Sequence, residues 1–194
     1  GNRMAADINP YLIGMWKGLL EGMTYPETIT KETYNEAKTA YNTKDYTIFS
    51  AAELGWIGFM ASYNGLFFHS YTGVSKSDGK DYVKASIDNI KQQIAPMKGC
   101  ELRCCSYDAL EIPPDSIIYC DPPYQGTEGY GVDFDYPKFY GWCHSMKQAG
   151  HKIFVSEYSM PPEFTCIWSM EVSNSLDRFS KVREKRLEKL FTIN

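Results

Sequence analysis

The sequence predicts an α/β protein, and three observations carry that prediction. The stretch Ser116 to Tyr124 joins a short apolar run, Ile117 to Cys120, to an acid and two prolines. Such a run reads as a buried strand, stopped by residues that cannot donate to a sheet ladder. Arg3 to Ala6 reads as a second strand ending at Asp7, and Pro10 opens a helix directly behind it. Apolar residues then recur at helical spacing in segments that alternate with further strand-like runs. In open α/β sheets ligands bind at the carboxyl ends of the strands, so Asp121 and Asp7 both stand where chemistry is usually done.

In chain order, the helix from Pro10 to about Glu21 carries Leu12, Ile13, Trp16, Leu19 and Leu20 as its core stripe. Tyr25 to Phe49 is polar and reads as short surface helices and connections. Glu53 to Tyr63 has helical period through Leu54, Ile57, Phe59 and Met60, with Gly55 and Gly58 allowing close packing. Tyr63 to Gly73 is rich in aromatics and turn residues, and Asn64-Gly65 signals a tight turn. Asp81 to Pro96 reads as a helix with Val83, Ile87, Ile90 and Ile94 on one face and Lys84 and Lys91 outside. Glu101 to Cys105 is a strand followed by Ser106-Tyr107-Asp108. Gln125 to Gly131, with three glycines in six residues from Gly126, reads either as a mobile loop able to close over a substrate or as plain connection. Pro137 to Lys147 is an aromatic helix, and His151 to Tyr158 a strand whose tip is Ser156-Glu157-Tyr158. Phe164 to Val172 and Lys189 to Ile193 supply closing strands.

Composition narrows the class. At 194 residues the chain is long enough for one ordinary core, and 43% of it is hydrophobic without an apolar run of membrane-spanning length. The expectation is a soluble, cytoplasmic protein without membrane partners. The six cysteines show no paired metal spacing and suit reduced, packed thiols, and the three histidines are dispersed, so no metal site is expected. The net charge of −4 counts mildly against nucleic acid. Local charge matters more: Lys76, Lys80 and Lys84, with Lys181, Arg183, Lys185, Arg186 and Lys189, can form a basic face, although Glu184 and Glu188 interleave the second group. Fifteen tyrosines and ten phenylalanines suit base stacking and core filling equally.

Asp121-Pro122-Pro123-Tyr124 suits one reaction in particular. Methylating an exocyclic amine on a nucleobase requires acceptors that draw its lone pair out of the ring. The Asp121 carboxylate and the Pro122 carbonyl can each take one amine hydrogen, and the rigid prolines hold that carbonyl without a competing donor. Tyr124 offers an aromatic face for a base swung out of its helix. As an isolated tripeptide, Asp-Pro-Pro would be only a turn; the strand before it and Tyr124 after it favour the site.

The block resembles the catalytic motif of amino-methylating DNA methyltransferases, and the chain is similar to the Dam-type class of adenine DNA methyltransferases, especially those of phages and prophages. Four segments carry the resemblance: Ala6 to Ile13, Ser62 to Phe67, Cys105 to Asp108 with Asp121 to Tyr124, and Glu188 to Phe191. It implies a Rossmann-like S-adenosylmethionine-dependent methyltransferase sheet, formed by residues 1–23 and 99–194, with a helical target-recognition insertion at 24–98. It implies transfer of a methyl group from S-adenosylmethionine to the 6-amino group of adenine in double-stranded DNA, with Asp121, Pro122, Pro123 and Tyr124 catalytic. Cytosine 4-amino methylation shares the chemistry, but a serine at the first motif position is more typical there. Asp7 would bind the cofactor's ribose, where the competing reading is a helix cap, and Tyr107 and Asp108 would lie beside its adenine, with Asp121 also among the cofactor contacts. Tyr63, Asn64, Gly65 and His69, with Lys76 and Lys80, are the DNA-facing candidates; the competing reading of the Tyr63–Gly73 segment is a buried hairpin.

One expected part does not precede Asp7: the family's opening strand with its Gly-rich turn. The expectation is an N-terminally truncated chain whose sheet is completed by a partner chain in a homo-oligomer, by a rearranged strand, or by direct pairing of the two exposed edges. The alternative function is a catalytically inactive remnant that retains its fold or DNA binding.

Overall fold

A computed structural model of the chain describes residues 1–125, 134–173 and 185–193. It is a mixed α/β protein of two compact units, Gly1–Leu110 and Glu111–Asn194. The elements are β1 Arg3–Asp7, α1 Pro10–Leu20, α2 Lys31–Thr43, α3 Ala51–Met60, α4 Tyr82–Met97, β2 Cys100–Cys104, β3 Ile117–Cys120, α5 Tyr136–Gln148, β4 Lys152–Glu157, β5 Phe164–Ser173 and β6 Lys185–Ile193. The glycine-rich segment from Gly126 to Gly131 lies outside the described residues, as do Lys181 and Arg183.

In the first unit β1 and β2 pair in parallel, Arg3 opposite Cys100 and Asp7 opposite Cys104. The Arg3 guanidinium donates to the carbonyls of Pro96 at 2.5 Å and Lys98 at 2.6 Å, groups that the end of α4 leaves without helical partners. Local chemistry sets the helix starts. Asn9 accepts from the backbone N–H of Tyr11 and Leu12, with Pro10 at the first helical position, and Ser50 and Glu53 form a capping box at α3. The expected glycine contact holds: a Cβ on Gly55 would stand 2.1 Å from the Tyr11 carbonyl oxygen, so only glycine lets α3 approach α1 this closely.

Two expectations for this unit change. The polar stretch before Phe49 contains one 13-residue helix, α2, which buries Tyr34, Ala37 and Ala40; two of its core residues are alanines, whose small apolar surface hides the stripe from periodicity. The α4 helix runs past Pro96 to Met97, because a proline in the last turn has few helical bonds left to break. Met15, Leu54, Trp56, Ile57, Phe68, Val83, Ile87 and Ile90 join Tyr34 in the core.

In the second unit the strand order is β3-β4-β6-β5, with β3 parallel to β4 and the other neighbours antiparallel. Phe139 and Cys143 of α5 are buried with Ile153, Val155, Phe191 and Ile193 of the sheet. Gly150, with φ of 96°, turns the chain from α5 into β4. β6 begins at Lys185, four residues before the expected strand, and pairs with β5 across a bulge between Cys166 and Trp168. The described strands fall into two sheets, in which β1 and β3 are both edge strands. β3, expected to be buried, has Ile117 and Tyr119 exposed, because only one of its sides has a neighbouring strand among those described. No helix among the described residues is long and apolar enough to cross a membrane.

Candidate active site

Asp121 follows β3 directly, and the register with β4 sets its position: Cys120 stands opposite Val155, so Asp121 to Tyr124 leave the sheet beside the tip of β4, Ser156-Glu157-Tyr158. Asp121 is exposed as a residue with its carboxyl partly enclosed, while Pro122, Pro123 and Tyr124 are half-buried. The Tyr124 ring packs edge-on against Tyr158, centroids 4.6 Å apart and planes at 87°. Its hydroxyl is near the Asp121 carboxylate and Ser156, and Ser156 Oγ lies 2.5 Å from the Tyr119 hydroxyl. Tyr119 and Ser156 are therefore tied side chain to side chain beside Tyr124 and Asp121.

Two further bonds brace this block. The Tyr136 hydroxyl, on the first residue of α5, donates to the Pro123 carbonyl at 2.7 Å. Glu157 Oε1 accepts from the backbone N–H of Gln125 at 2.5 Å. Burial pushes the Asp121 carboxyl upward, with the Glu188 charge adding to it and the Tyr124 hydrogen bond working against it. Burial also raises the Tyr124 phenol, with Asp121 the largest charge contribution. The Cys120 thiol is pushed up to about 12 by burial, which leaves it an inert packing group.

In the first unit the carboxyl ends of β1 and β2 lie side by side, since Asp7 opposes Cys104 and its carbonyl accepts from Cys105 N–H at 3.2 Å. Asp7 is half-buried at the first tip, and its Oδ1 accepts from Asn9 N–H at 2.7 Å. The helix cap is thus Asn9, with Asp7 supporting it from outside the helix. Tyr107 and Asp108 occupy a 3-10 turn after β2, Tyr107 half-buried and Asp108 exposed. Within this unit the three cofactor candidates share one sheet edge.

The chain matches the profile of the D12 class N6 adenine-specific DNA methyltransferases over residues 2–158. It belongs to that family. The match takes in Asp7, Tyr107, Asp108 and Asp121 to Tyr124, and membership makes the protein a methyltransferase enzyme that acts on adenine in DNA. A comparison with curated proteins returns no match.

The methyltransferase's DNA candidates fall on two turns of the helical segment. Tyr63, Asn64 and Gly65 form an exposed 3-10 turn in which Asn64 has φ of 53° and Gly65 of 70°. His69 is exposed and its carbonyl accepts from Lys38 Nζ at 3.0 Å. Within this segment Tyr63 to Gly65 face solvent, whereas Phe68 is buried against Tyr34 and Tyr41, and Phe67 packs on Tyr11, Tyr41 and Phe59. Lys76 and Lys80 are exposed before α4, with the Lys80 ammonium 5.0 Å from the centre of the Tyr82 ring. Lys84 is paired to Asp88 at 2.8 Å, which weakens its place in a basic face. Among the described residues no group of three His, Cys, Asp or Glu is placed to hold a metal.

Tyr136 is the site residue that periodicity missed. The helix signal began at Pro137, yet the flanking Asp135 is an N-cap whose carboxylate accepts from Lys138 N–H, and that cap puts Tyr136 at the first helical position.

Proposed function

We propose that this enzyme transfers the methyl group of S-adenosylmethionine to the 6-amino group of adenine in double-stranded DNA, with the base flipped out of the helix. The observation that carries the reading is the braced block Asp121 to Tyr124 at the carboxyl end of β3 in a member of this family. The Asp121 carboxylate and the Pro122 carbonyl each accept one amine hydrogen, which turns the nitrogen lone pair outward for in-line attack. Tyr124 stacks the extruded base. Pro123 keeps the backbone rigid between them.

S-adenosylmethionine supplies the electrophilic methyl when bound. The donor set of the first unit suits it. Asp7 spends Oδ1 on Asn9 N–H, and Oδ2 has no protein partner among the described residues, so an acceptor remains for a ribose hydroxyl. Tyr107 adds a ring and Asp108 a carboxylate beside it for the adenine. Asp121 is the fourth cofactor contact in this reading. Tyr63, Asn64, Gly65 and His69 approach the DNA, and Lys76 and Lys80 meet its phosphates, so that residues 24–98 form the target-recognition part. The fold in this reading is a Rossmann-like methyltransferase of residues 1–23 and 99–194, and the open sides of the edge strands β1 and β3 suit pairing with a strand from a second copy of the chain.

The test is incubation of the purified protein with labelled S-adenosylmethionine and duplex DNA, followed by nucleoside analysis for N6-methyladenine, beside its mass in solution. Methyladenine formed by the wild type and lost in Asp121→Ala supports the reading. Label incorporated elsewhere, or equal incorporation by the variant, overturns it, and DNA binding without transfer favours an inactive remnant.

A further inference from the structure

We propose that Glu157 is a positioning residue of the methyl-transfer site, fixing through its buried carboxylate the backbone on which Asp121 to Tyr124 are held. The inference rests on the function proposed above. Glu157 closes β4 and is 1% exposed. Its Oε1 accepts from Gln125 N–H at 2.5 Å and its Oε2 from Tyr158 N–H at 2.8 Å. A carboxylate is costly to bury unless both oxygens are satisfied, and here both are satisfied by backbone donors.

The two donors are not arbitrary members of the backbone. One belongs to the residue directly after Tyr124, and the other to the residue whose ring packs edge-on against Tyr124. A single side chain therefore sets both the path of the chain leaving Tyr124 and the neighbour against which Tyr124 rests. Tyr136 holds the Pro123 carbonyl at 2.7 Å on the other side of Tyr124, so the block is fixed at both ends. Burial pushes the Glu157 carboxyl upward, with the Asp121 charge adding to it and the two N–H bonds working against it. Glu157 touches neither the reacting amine nor the methyl in this arrangement. It acts through the geometry of Asp121, Pro122 and Tyr124, where a displacement of roughly 1 Å can cost on the order of a hundredfold in rate.

Glu157→Gln keeps the shape but turns an amide N–H₂ toward one of the two backbone donors, and Glu157→Asp keeps the charge but shortens the reach. Both are compared with the wild type by steady-state methylation, thermal unfolding and amide hydrogen exchange. The expected result is a fall in kcat of roughly ten- to a hundredfold with KM for DNA and S-adenosylmethionine little changed. Faster exchange at Gln125 and Tyr158, and a cooperative melt, should accompany it. Unchanged kcat overturns the proposal, and so does a fall in kcat accompanied by loss of amide protection throughout the chain. A wild type without methyl transfer would instead sink the proposed reaction. The exchange measurement then decides separately: acceleration confined to Asp121, Tyr124, Gln125 and Tyr158 supports the brace, and no acceleration overturns it.

Discussion

The hydroxyl of Tyr136 donates to the carbonyl of Pro123 at 2.7 Å, tying the first turn of α5 to the peptide next to the proposed amine acceptor. A neutral hydrogen bond of this kind contributes about 1 kcal/mol. Tyr136→Phe removes it with little change of shape. The expected outcome is a fall of up to roughly tenfold in the methyl-transfer step with an unchanged far-ultraviolet spectrum, measured by single-turnover transfer. An unaltered rate would show that Pro123 needs no restraint from α5.

The acidic limb of the pH profile should belong to Asp121. Its ionised form accepts the amine hydrogens, and burial raises its carboxyl, so transfer should fall as pH is lowered through a value above the ordinary aspartate range. The same shift bears on stability. A raised carboxyl binds its proton more tightly in the folded state, so its stabilising contribution is complete below the unfolded-state value and lost as pH rises through the folded one. The difference in melting temperature between the wild type and Asp121→Asn should therefore shrink as pH falls. A limb at the ordinary value, or a growing difference, would contradict the assignment.

Gly55→Ala places a Cβ 2.1 Å from the Tyr11 carbonyl oxygen, which is backbone and cannot swing aside. Overpacking of this kind costs roughly 1–3 kcal/mol. Chemical denaturation should show a lower midpoint, with the loss concentrated in the first unit. Gly141→Ala is the control, because its Cβ meets nothing within 4 Å.

If Lys76 and Lys80 meet phosphates, each should contribute about one unit to the slope of log affinity against log salt. Lys76→Ala and Lys80→Ala should weaken binding to all duplex sequences alike. Fluorescence anisotropy across a potassium chloride series measures this, and a slope unchanged in the double variant would remove both lysines from the interface.

Local signals made several features legible. The strand before Asp121 is short, apolar and ended by prolines, so its type, its limits and the place of the acid all follow from neighbouring residues. Gly55 announced a close helix crossing because no side chain larger than hydrogen fits one. Other features had weaker local signatures. The core stripe of α2 runs through Tyr34, Ala37 and Ala40, residue types equally at home on a surface. Phe68 stood in a turn-rich segment, and only the surrounding rings of Tyr34, Tyr41 and Phe67 show why it is buried with φ of 51°.

The sequence alone determined that an acid, two prolines and a tyrosine end a short apolar strand, and that the chain alternates helices and strands, because hydrophobic period and proline stereochemistry act between near neighbours. That this strand is an edge with Ile117 and Tyr119 exposed was not legible. Tertiary structure decided the rest. That Glu157 holds the chain behind Tyr124, and that β1 and β3 become edge strands of two sheets, depend on groups distant in sequence. Gln125 and Glu157 are 32 positions apart, and which buried acceptor meets which backbone donor is settled only when the whole unit packs and the cost of every unpaired polar group is felt at once.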